Sequence, residues 1–143
     1  MRASIFSTRL FFHSSINKIK LNKLQLPHIV VNKQVNLLEF SKLFLPYFHK
    51  SPLIRISNIY VNSNGLSALL SVVVIDELHQ EFFIQVFASS KKTIRLLHLT
   101  DSEKTDSVKK LLSLVYLQMK KFDSNLVVTK SNLWKPIETE ILS

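Results

Sequence analysis

Imidazole is the side chain best suited to acid–base and metal chemistry at neutral pH, and the chain holds five: His13, His28, His49, His79 and His98. No two stand in a His-x-x-x-His pair, and none shares a helical face with a carboxylate cluster, so the spacing of a metal site is absent. His79 follows Asp76 and Glu77, but in a turn between two apolar runs, where such groups are solvated. Asp101, Glu103 and Asp106 form a denser carboxylate group. They precede an amphipathic run, and acids at a helix N-terminus are explained by the helix dipole. No serine lies in a Gly-x-Ser-x-Gly elbow. Cysteine is absent, which removes disulfides, thiolate metal sites and cysteine nucleophiles. Gly65 is the single glycine, which removes glycine-rich phosphate loops. The expectation is a non-catalytic protein with no metal, cofactor or small-molecule substrate.

What remains is electrostatic. The net charge is +9, and its distribution is uneven. Arg2, Arg9, Lys18, Lys20, Lys23 and Lys33 precede the first acid, Glu39, so +6 lies on residues 1–38 and +3 on the rest. An acid-free basic leader is a targeting signal or a nucleic-acid-binding arm. A second basic group, Lys109, Lys110, Lys120 and Lys121, falls on the polar side of an amphipathic run. Its two pairs are three turns apart, roughly 15 Å at the rise of an α-helix. Leu114 and Leu117 intrude between them. A basic surface with apolar inclusions suits RNA phosphates or a ribonucleoprotein interface. Lys18, Lys20, Lys23, Lys109, Lys110, Lys120 and Lys121 are therefore the candidate RNA-binding residues, and Leu114, Leu117 and Trp134 the candidate partner contacts.

These groups need elements to hold them. A chain of 143 residues, 46% apolar, has room for one domain with a real core. The longest apolar run, Leu66 to Ile75, is too short to span a membrane and reads as a buried strand. A short strand is expected around His28 to Val31, at an edge or starting after Pro27. Asn36, with Glu39 three residues on and Leu37, Phe40 and Phe44 at helical spacing, marks a helix ending near Leu45, before Pro46. Leu53 to Val61 then alternates with period two, Ile54, Ile56 and Asn58 on one side. Asn62-Ser63-Asn64-Gly65 is the strongest turn signal in the chain. Strands follow at Ser67 to Ile75, Glu81 to Phe87 and Thr93 to Leu99. The last helix carries Val108, Leu111, Leu112, Val115, Met119 and Phe122 on one stripe. A tail with a short strand at Leu126 to Thr129 and an isolated Trp134 closes the chain. The fold class expected is α+β: a two-layer sandwich in which an antiparallel meander of three to four strands is covered by two helices. The domain division is a targeting segment over 1–16, a basic arm over 17–35, a single α+β domain over 36–123 and a C-terminal extension over 124–143.

Residues 1–16 are rich in Arg, Ser and Phe and contain no acid, the composition of an organellar transit peptide. Arg9-Leu10-Phe11 followed by Phe12-His13-Ser14-Ser15 resembles fungal mitochondrial matrix presequences, which implies the mitochondrial matrix. The helix–three strands–helix order of 36–122 resembles the double-stranded-RNA-binding domain. That resemblance implies RNA contacts at the Asn62 to Gly65 loop and at Lys109 and Lys110, though the family's Gly-Pro-x-His loop and alanine-rich final helix are not present. The function expected is a component or assembly factor of the mitochondrial ribosome, with mitochondrial rRNA or ribosomal proteins as partners. The alternative is a protein-interaction module: an assembly factor or accessory subunit of a respiratory-chain complex.

Overall fold

The computed structural model describes residues 26–97 and 103–142. The elements run β1 (His28–Val31), α1 (Leu37–Leu43), β2 (Tyr47–His49), β3 (Leu53–Val61), β4 (Ser67–Ile75), β5 (His79–Phe87), β6 (Thr93–Leu96), α2 (Asp106–Phe122), β7 (Val128–Ser131) and α3 (Trp134–Leu142). All seven strands form one antiparallel sheet in the order β2-β3-β4-β5-β6-β1-β7. This corrects the expected meander of three to four strands under two helices: the sheet has seven strands and the described residues form three helices. The helix–three strands–helix order behind the likeness to the double-stranded-RNA-binding domain is not the order of this chain.

Each difference has a physical cause. β1 starts after Pro27, as Pro27 requires, but it is an interior strand. Val30 pairs with Thr93 of β6 on one side and Lys130 of β7 on the other. Pairing between segments so distant in the chain leaves no mark in a local hydrophobic period. β2 has three residues, too few for an alternation to register. α3 contains Pro136 at its third position. Proline in a first helical turn removes an N–H that has no intrahelical partner anyway, so it does not stop the helix. α1 ends at Leu43, with Phe44 already extended, because Leu45 precedes Pro46 and is held out of the α region.

The long strands are built by alternation. Ile54, Ile56, Ala68, Leu70, Val72, Val74, Phe82, Ile84 and Val86 point to one face and are buried. Val108, Leu111, Leu112, Val115 and Met119 of α2 close over that face. A bulge between Ile56 and Asn58 shifts the register of β3. Past it, Ile59 and Val61 turn inward while Asn58 and Tyr60 turn outward, so the expected inward Asn58 is corrected. One extra residue inverts every following side chain. The β3–β4 turn closes with Asn62 N–H donating to Ser67 C=O (2.9 Å) and Gly65 N–H to Asn62 C=O (2.8 Å). Gly65 sits at φ +73, the left-handed region that a side chain disfavours.

Caps set the ends of the helices. The Asn36 side chain accepts from Glu39 N–H at 3.2 Å, and the Thr105 hydroxyl accepts from Val108 N–H at 3.3 Å. At the far end of α2, Lys33 pairs with Asp123 at 2.8 Å and ties the β1–α1 connection to the helix terminus. The Lys33 hydrogen bond, followed by the Asn125 N–H and the field of Lys120, holds the Asp123 carboxyl below the usual carboxylate range. Among the described residues no helix is long and apolar enough to cross a membrane.

Candidate nucleic-acid interface on the open sheet face

The basic side of α2 is not a free surface. Lys110 Nζ lies 3.8 Å from Glu140 of α3, and Lys120 Nζ donates to the carbonyls of Ser124 (3.3 Å) and Leu126 (2.8 Å). Ser113 stands one turn from Lys109 and is fully buried, its hydroxyl donating back to Lys109 C=O at 3.2 Å. Leu114 and Leu117 pack against the core. The Lys110 contact arises because α3 packs against α2, seated by buried Leu133 and Ile137, whereas Lys120 is taken up by the chain that follows α2. Lys109 is half-buried and Lys121 is exposed at the other end of the helix. Trp134, at the start of α3, keeps 46% of its surface exposed. Lys18, Lys20 and Lys23 lie outside the described residues. The described lysines are thus divided between the two ends of α2, and two of the four are engaged within the protein.

The second face of the sheet carries the larger concentration of chemistry. No described element covers it. The register assigns its rows: Tyr60, Leu69, Gln85, Arg95 and His28 stand side by side across five strands. Phe48, Arg55, Val73 and Glu81 form a second row, and Asn58, Ser71 and Phe83 a third. Phe87, Val30 and Lys130 lie on the same face toward the other end of the strands.

Within this face the aromatic rings and the cations are interleaved. The Arg95 guanidinium lies 4.9 Å from the centroid of the Phe87 ring, and Lys91 Nζ lies 5.9 Å from it. Arg95 also donates from Nε and Nη2 to Gln85 Oε1, both at 3.4 Å, which steadies the plane of the cation. Lys91 reaches the ring from a turn in which Lys92 adopts φ +42. Phe83 and Tyr60 keep 38% and 55% of their surfaces exposed. Among the described residues, Arg55, Lys91, Arg95 and Lys130 enter no ion pair. The acid within these rows, Glu81, is engaged by His79 at 3.1 Å. Four cations among exposed aromatic rings can attract phosphates and stack bases. The sequence does contain the signal: in EFFIQVF the residues facing away from the core are Glu81, Phe83, Gln85 and Phe87. It was legible only once the covered face was known.

Two smaller features complete the surface. A cleft of about 300 Å³ opens between α1 and the end of α2, lined by Phe40, Phe44, Leu45 and Phe122 with Gln118 and Lys121. Gln118 Nε2 donates to Leu45 C=O at 2.9 Å, while its buried Oε1 has no hydrogen-bond partner among the described residues. Leu43, which also lines the cleft, and Leu45 are 69% and 73% exposed. At the other end of α2, Leu78 N–H donates to Asp76 at 2.9 Å. That bond, with the hydroxyls of Thr105 and Ser107, holds the Asp76 carboxyl below its usual range. Among the described residues no group of three or more histidine or carboxylate side chains is placed to hold a metal ion. No family model matches the chain, and neither does any curated protein or solved structure.

Proposed function

We propose that the protein is a non-catalytic RNA-binding protein of the mitochondrial matrix, a component or assembly factor of the mitochondrial ribosome, and that RNA lies on the open face of its sheet. The observation that carries this reading is the make-up of that face: Arg55, Lys91, Arg95 and Lys130 stand among Phe48, Tyr60, Phe83 and Phe87. The acid-free leader supports the compartment, and Lys18, Lys20 and Lys23 would extend the basic surface.

Salt titration of RNA binding tests it. Contacts from four cations to a single strand give a slope of log K against log salt of about −3, at roughly −0.7 per phosphate. Engagement of the three arm lysines as well would steepen it to about −5. Affinity unchanged between 50 and 200 mM salt, or no RNA binding at all, would refute the proposal.

A second reading, a protein-interaction module serving a respiratory-chain complex, draws on the apolar cleft at Leu43 and Leu45. Sedimentation of detergent-lysed mitochondria separates the two. Co-migration with a ribosomal subunit, shifted by magnesium chelation, supports the first; co-migration with a respiratory complex supports the second.

A further inference from the structure

We infer that the open sheet face takes single-stranded RNA, stacking its bases on Phe83 and on the Phe87–Arg95 pair, rather than duplex RNA. This rests on the reading of the protein as an RNA binder and adds the class of RNA.

The face is too apolar for a duplex. Leu69, Val73, Phe83 and Phe87 lie on it between the cations. The outside of an RNA helix offers phosphates, 2′-hydroxyls and a shallow groove, none of which desolvates an aromatic ring. An unpaired base offers its π-face.

The spacing also fits. Phe83 and Phe87 are four residues apart on β5, about 13 Å at the rise of a strand. Gln85 lies midway between them on the same face, directly across from Arg95. The Arg95 guanidinium, bonded to Gln85 and 4.9 Å from the Phe87 ring, therefore lies on the Phe87 side of the interval between the two rings, beside the path of the phosphate that would join two splayed nucleotides. Phe83 is flanked in its row by the small Ser71, so the ring has open space at its side. Arg95 presents a planar cation over the Phe87 ring, 4.9 Å from its centroid, and guanidinium planes stack bases as aromatic rings do.

Fluorescence anisotropy with the full chain tests this, using a labelled single-stranded 12-mer RNA and a blunt duplex of the same length. The single strand should bind at least tenfold more tightly. Phe83→Ala should weaken single-strand binding about five- to 150-fold, the span of one stacked base. Phe83→Leu should behave like Phe83→Ala, because it keeps apolar bulk and loses the π-face, whereas Phe83→Trp should bind as tightly as the wild type or more so. Circular dichroism checks that each variant folds. Lys130→Gln, at an exposed position, should reduce the salt slope by about 0.7 and so reads the face independently of Phe83. Duplex binding equal to or tighter than single-strand binding, or an unaltered Phe83→Leu affinity, would overturn the inference while leaving RNA binding standing. Failure of both RNAs would sink the RNA reading itself. Dimerisation of the chain that Phe83→Asp abolishes, without RNA binding, would assign the face to a second copy instead.

Discussion

Gly65→Ala should destabilise the protein by about 1 kcal/mol, and the reason can be separated from its alternatives. Gly65 has φ +73, where an L side chain costs roughly 1–2 kcal/mol. The loss of unfolded-chain freedom on going from glycine to alanine returns about 0.4–1 kcal/mol. An added Cβ would also lie 3.2 Å from Leu38 Cδ1 and 3.3 Å from its Cγ. Leu38 is 45% exposed and can swing aside, so this contact should add little. Urea unfolding followed by circular dichroism, with the m-value unchanged, measures the loss; in a thermal scan it should appear as a fall of about 3–4 °C. Gly65→Asn carries the same Cβ but tolerates the left-handed region better, so it should cost less than alanine. If asparagine costs as much as alanine, and Leu38→Ala restores both, the contact and not the backbone is responsible and the reasoning fails. The turn matters beyond stability, because it sets the β3–β4 register that brings Tyr60 beside Leu69 on the open face.

Other variants address the core and the charged groups. Leu111→Ala, at a fully buried position of α2, should cost about 2–5 kcal/mol in the same unfolding assay; a cost below 1 kcal/mol would mean that α2 does not close the core. Lys120→Met should lower stability by about 1 kcal/mol through loss of the bonds to Ser124 and Leu126, while the salt slope of RNA binding stays as in the wild type; a flatter slope would place this lysine on RNA. Asp123, whose carboxyl is held low by Lys33, contributes stability that is complete above the ordinary carboxylate pKa of about 4 and is lost as pH falls through its lower folded value. Asp123→Asn should therefore flatten the acid limb of a stability–pH profile, and an unaltered limb would count against the Lys33–Asp123 pair.

What the amino-acid order decided by itself was local. The cap at Asn36, the turn at Asn62 to Gly65, the period-two run of β3, the apolar runs of β4 to β6 and the apolar stripe of α2 all arise from neighbours a few residues apart, and each was legible. Steric preferences and side-chain spacing suffice for these. The sheet order was decided at long range. β1 finds its place between β6 and β7 only when chain segments far apart meet, and β2 is too short to announce itself; the short strand expected at Leu126 to Thr129 is β7, shifted to Val128–Ser131. The candidate sites followed the same division. A helical wheel isolates Lys109, Lys110, Lys120 and Lys121 as a polar face, but only packing decides that α3 lies against it, with Lys110 and Lys120 turned to Glu140 and to backbone carbonyls. Conversely, Arg55, Phe83, Arg95 and Lys130 lie in four different strands and share no spacing in the chain. They become one surface because antiparallel pairing aligns them across the sheet while α1, α2 and α3 leave that face bare. Tertiary pairing decided which charges are engaged inside the protein and which remain on its surface.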